Sequence, residues 1–163
     1  MRHLMLLLFI LFTACTSDRM VKSESATIVS ERQKQKELVL KTTMDFYHNY
    51  LKSICVTNKT LVEYLYSQKE IDHAFVKKVE RLIEKSKHTN TIIGGTLGYD
   101  PILMAQDIPP RLIYSVPLVR QRSATIKVFA VWGDKIEGTI VVKLRKTDDA
   151  WKIIDIIDPD NIQ

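Results

Sequence analysis

The chain changes its hydrophobic rhythm near its middle. From about Glu31 to Ile54 the apolar residues recur at helical spacing. Leu40, Met44, Tyr47, Leu51 and Ile54 step by four, three, four and three, and Phe46 and Tyr50 widen the stripe. That pattern predicts a long amphipathic helix whose broad face packs as core against a sheet. Two capping boxes follow, Thr60-Leu61-Val62-Glu63 and Ser67-Gln68-Lys69-Glu70. In each, the hydroxyl accepts from a backbone N–H three residues on while the carboxylate reaches back. The first predicts a short helix to about Tyr66. The second predicts a longer one to about Lys87, with Ile71, Phe75, Val79 and Leu82 as its buried stripe.

Beyond Pro109-Pro110 the rhythm is that of strands. Leu112 to Val119 reads as a strand in which Pro117 marks an edge or a bulge, because proline cannot donate to a ladder. Ser123 to Trp132 is rich in β-branched and aromatic residues, and Gly133-Asp134 supplies a turn. Ile136 to Lys146 alternates, with Ile140, Val142 and Leu144 on one face. Thr147-Asp148-Asp149 turns again, and Trp151 to Ile157 closes the series. Short turns join antiparallel neighbours. The expected architecture is α+β, with N-terminal helices packed on a curved antiparallel β-meander in one domain over residues 31–163. The sequence shows no internal repeat, and no second domain is expected.

The first residues carry a different message. Arg2 and His3 precede an unbroken apolar run from Leu4 to Phe12, followed by Thr13, Ala14 and Cys15. A basic start, a short apolar core and small residues before a cut form a secretory signal, here residues 1–14. The run falls well short of the roughly 20 residues that span a bilayer. Phe12-Thr13-Ala14-Cys15 resembles the lipobox of bacterial lipoproteins, although Leu or another aliphatic is usual where Phe12 stands. The resemblance implies acylation of Cys15 with diacylglycerol and an N-acyl chain such as palmitate. Several chains, each contributing about 0.8 kcal/mol per buried CH₂, give a stable lipid anchor. Thr16 and Ser17 follow the cysteine, and Asp18 comes too late to match the inner-membrane retention rule. The implied location is the bacterial envelope, facing the periplasm, at the outer membrane in preference to the inner. Residues 15–30 are mostly polar or small and read as a flexible tether.

Composition changes this picture little. The 163 residues are 45% hydrophobic and 26% charged, which suits a globular domain. The net charge is +5, from 24 basic and 19 acidic residues. The signs interleave, as in Lys77-Lys78-Val79-Glu80-Arg81, which reads as a solvated helix face. No nucleic-acid partner is expected. His48, His73 and His88 lack zinc spacing, so no metal is assigned. Gly94-Gly95 and Gly98 lack the lysine, strand and helix of a phosphate loop, so no cofactor is assigned. Asp45 and His48 share a helix face with surface character. Cys55, between Ile54 and Val56, reads as a buried, inert thiol.

Gly98-Tyr99-Asp100-Pro101 and Ala105-Gln106-Asp107-Ile108 lie between the helical half and the strand-rich half. This order of elements, the Tyr-Asp-Pro…Gln-Asp segment and the closing Trp151-Lys152-Ile153-Ile154-Asp155-Ile156 resemble the YbjP/YqhG-like envelope lipoproteins over about residues 36–157. The resemblance implies a cone-shaped fold of the nuclear transport factor-like and cystatin-like kind, and it implies no activity. Taken on their own chemistry, Asp100 before Pro101 favours a turn, and its carboxylate suits local backbone N–H groups. Ile102, Leu103 and Met104 are expected to plug the open end of the sheet. On this view the stretch is a joint closing the cone; the alternatives are a partner-binding loop of Tyr99, Asp100, Gln106 and Asp107, or a catalytic site. No catalytic residue is assigned. The expected function is a non-enzymatic, membrane-anchored binding module for an envelope protein or wall component, with an immunity-type inhibitor as its specific form. The alternative is a small-ligand or acid-base pocket within the cone, using Asp100, Asp107 or Tyr47.

Overall fold

The computed structural model describes residues 4–56, 59–88, 100–148 and 150–159, with the backbone alone for 4–27, 55, 87 and 88. The side chains of the expected signal sequence and of Cys15, the residue Tyr99 and the burial of Cys55 lie outside the described residues. Three helices precede five strands: α1 (Leu4–Val56), α2 (Leu61–Ser67), α3 (His73–His88), β1 (Arg111–Tyr114), β2 (Leu118–Val119), β3 (Ser123–Trp132), β4 (Lys135–Thr147) and β5 (Ala150–Ile157). Residues 15–30, the expected tether, have helical backbone within α1. The chain divides into a unit of Met1–Gln35 and a unit of Lys36–Gln163. The core described here lies in the second, where helices pack on an antiparallel sheet as the two rhythms require.

The sheet is a meander. β3 pairs with β4 and β4 with β5, while β1 and β2 lie one after the other along the free side of β3. The predicted single strand over 112–119 is thus two strands. Residues 115–117 separate them, where Pro117 lacks the N–H a ladder needs. Gly133 takes the β3–β4 turn with φ of 57°, a conformation glycine adopts without steric penalty. Register shifts at Ala130/Val131 and Lys143/Leu144 bend the sheet.

The buried face of α1 lies beside the stripe that spacing suggests. Val39, Thr43, Phe46, Tyr47 and Tyr50 are buried, whereas Met44 and Ile54 are 44% and 38% exposed. Thr43 explains the rotation. Its hydroxyl donates to the Val39 carbonyl at 2.9 Å, so a nominally polar residue enters the core fully satisfied. The aromatic side chains on this face form a chain of contacts. Phe46 meets Tyr47 edge-on at 5.3 Å and stacks on Tyr50 at 6.0 Å, and Tyr50 lies 5.4 Å from Tyr64. Each such side chain, fully buried, contributes about 1.5–3 kcal/mol of apolar transfer energy.

The first capping box forms as predicted. Thr60 Oγ1 accepts from Glu63 N at 3.3 Å, and the Glu63 carboxylate accepts from Thr60 N at 2.8 Å. The second does not form. Ser67 donates to the Tyr64 carbonyl at 2.7 Å, and α3 begins six residues later, at His73. Asp72 caps it instead, accepting from Ala74 N at 2.9 Å. The intervening residues pair with the last strand. Asp72 N donates to the Ile153 carbonyl and Ile153 N donates to the Glu70 carbonyl, at 2.9 and 2.8 Å. Ile71 thereby bridges Ile153 in parallel and covers the outer edge of β5. The α3 stripe shifts accordingly. Phe75, Val76 and Val79 are buried, while Leu82 is 42% exposed.

Candidate functional site

The stretch between the helices and the sheet folds back on itself. Asp100 N donates to the Ala105 carbonyl at 2.8 Å, closing a tight loop. Pro101 fixes the first bend, and Met104 takes the left-handed conformation, with φ of 49°, at the second. The Asp100 carboxylate organises the turn: Oδ1 accepts from Ile102 N at 2.7 Å and from Leu103 N at 3.1 Å. This is the local side-chain-to-backbone bonding to which aspartate is suited.

The other oxygen looks inward. Asp100 Oδ2 accepts from Tyr50 Oη at 2.6 Å, joining the loop to α1. Tyr47, fully buried on the same helix, donates its hydroxyl to the Ile102 carbonyl at 3.1 Å. Two phenols one helical turn apart therefore hold a six-residue loop by one carboxylate and one carbonyl. The apolar residues between them complete the joint: Ile102 and Leu103 are buried, Met104 is half-buried, and Pro109 closes the segment from within.

The electrostatics follow from this packing. Burial pushes the Tyr50 phenol far above its ordinary value, and the Asp100 charge, together with the hydrogen bond to it, adds to the effect. Tyr47 is raised well above the ordinary range by burial, then by Tyr114 and Asp100. Tyr114, 6.5 Å from Tyr47 on β1, is pushed up to about 12 by burial. All three phenols stay protonated at neutral pH, so they serve as donors and not as bases.

The predicted residues thus separate. Asp100 faces inward and is bound by Tyr50 and two backbone amides. Gln106 and Asp107 are exposed on the outer side of the loop. Tyr47 and Asp100 share the interior, but each is already hydrogen-bonded. Asp107 is apart from both, at the surface. Spacing gave no sign of Tyr50 as the partner of Asp100. The only available signal was that Tyr47 and Tyr50 are one turn apart on the widest part of the apolar stripe.

No family model and no curated protein matches the chain. One solved structure is similar: a chain of the type VI native effector-immunity complex Tae3-Tai3 from Ralstonia pickettii. It is 20% identical, with a TM-score of 0.53, and the likeness covers 76% of this chain and 96% of that one. At this identity the likeness concerns the fold.

Proposed function

We propose that the protein is a lipid-anchored, periplasm-facing binding module that acts on a protein partner as an immunity-type inhibitor. The observation that carries the reading is the fold likeness to a chain taken from an effector-immunity complex. Site geometry points the same way. Of the acid-base candidates, Asp100 and Tyr47 are used, together with Tyr50, to hold the loop closed, and Asp107 is exposed. With Asp100, Tyr47 and Tyr50 so engaged, recognition falls to the surface. The lipobox-like Phe12-Thr13-Ala14-Cys15 supports anchoring, and the resemblance to YbjP/YqhG-like lipoproteins supports an envelope setting.

Cross-linking in living cells, comparing the natural protein with a Cys15→Ala variant, tests this reading. A discrete protein partner, captured with the natural chain and lost with the variant, is the expected result. An acylated, folded protein that captures no partner would refute it.

A further inference from the structure

The sheet has two faces, and the helices use one. On the other, register places side chains from neighbouring strands in rows. Leu118 lies opposite Thr125, and Thr125 opposite Lys143. Ser123 lies opposite Arg145, and Arg145 opposite Lys152. One step along β3, Lys127 is exposed opposite Val141. At the end of these rows, the turn between β2 and β3 adds Arg120 and Arg122, which border an open hollow of about 870 Å³ floored in part by Ile154.

The cations on this face differ in their engagement. Arg145 pairs with Asp72 at 2.8 Å, and Lys152 donates to the Lys69 carbonyl. Among the described residues, Arg120, Arg122, Lys127 and Lys143 form no ion pair. The neighbouring acids among the described residues do not neutralise them. Asp155, opposite Lys143, is held by Lys78 at 2.5 Å, and Asp148 stands exposed on the β4–β5 turn. Leu118, in the same row as Lys143, is 62% exposed. Arginine is enriched at protein interfaces, where apolar surface beside it is also covered.

We propose that this open face, centred on the hollow beside Arg120 and Arg122, is the docking surface for an acidic segment of a protein partner. The inference rests on the reading that the chain works by binding a protein. Charge selects the occupant. A second copy of this chain would bring like cations face to face, which opposes association. A planar anionic membrane would meet the rim but leave the hollow unfilled. A protruding acidic segment with apolar neighbours meets the arginines, the hollow and Leu118 together.

The test uses the purified full chain and three probes: a labelled peptide of alternating Glu and Leu, inorganic phosphate, and phosphatidylglycerol vesicles. The peptide is expected to shift the backbone amide signals of Arg120 to Ser123 and to bind less tightly as salt rises. An Arg120→Glu/Arg122→Glu variant with unchanged melting should bind it at least about tenfold more weakly. An Arg32→Glu/Lys34→Glu control should bind as the natural protein does. Equal weakening in the control, amide shifts elsewhere, or binding of phosphate or vesicles without the peptide would overturn the proposal. The shifts on the natural protein decide the matter even if the double variant does not fold. A partner captured in cells whose binding survives the double charge reversal refutes this surface alone, whereas capture of no partner refutes the reading beneath it.

Discussion

The joint at residues 100–105 and the open face of the sheet are both polar, yet they stand in opposite states. In the joint, both Asp100 oxygens and the hydroxyls of Tyr47 and Tyr50 are engaged within the chain. On the open face, four cations have no ion-pair partner among the described residues, and Leu118 is uncovered. A polar group that is buried and satisfied holds a fold together; removing it leaves its former partners unsatisfied. A polar group that is solvated and unpaired adds little to stability and remains free for another molecule. The contrast places the joint in the architecture and leaves the open face as the proposed recognition surface.

The largest effect on that contrast is expected from the joint's apolar plug. Leu103→Ala should destabilise the fold by about 2–5 kcal/mol, measured by urea unfolding, because the side chain is buried in the core. A loss near zero would mean that the joint is not part of the core. Next is Asp100→Ala, which strands the Tyr50 hydroxyl and two backbone amides. A loss of about 2–3 kcal/mol is expected. Tyr50→Phe alone should lose less, and the double variant should lose less than the sum of the two. Strict additivity would show that the 2.6 Å contact carries no coupling.

These effects also mark what sequence could convey. The two rhythms, the break after Pro109-Pro110, the first capping box and the turns at Gly133 and Thr147 were all legible, because each rests on neighbours along the chain. Asp100 before Pro101 announced a turn for the same reason. Its bond to Tyr50 was not legible, since the partners lie 50 positions apart. Ser67-Gln68-Lys69-Glu70 carried a valid local signal that lost to a distant one. Glu70 to Asp72 gain backbone bonds to β5, and the helix starts later in consequence. The rotation of the α1 face was hidden because Thr43 counts as polar until its bond to Val39 is seen.

Smaller effects complete the series. Thr60→Ala removes the α2 cap and should lower stability by about 1 kcal/mol, checked by thermal melting. Acid should act on the seam between α3 and the sheet. The Asp72 carboxyl is held below its ordinary value by its bond to Ala74 N and by Arg145. Its stabilising contribution is therefore complete above the ordinary carboxylate range and fades as pH falls through the lower, folded value. Stability measured against pH should lose part of that acid-side slope in Asp72→Asn. The smallest effect is expected on the open face. Arg122→Ala should change stability by no more than about 0.5 kcal/mol. A larger loss would move the residue from recognition to architecture.

The stitch between residues 70–72 and β5 has a consequence for biogenesis. The last of the described strands in chain order is the one that fastens the helical half. Beside the stitch, Lys78 reaches Asp155 across 77 positions of chain. Until β5 has emerged, Ile71 has no ladder to join and β4 keeps a bare edge. A chain halted before Ala150 would therefore expose unpaired backbone of the kind that proteases and chaperones recognise.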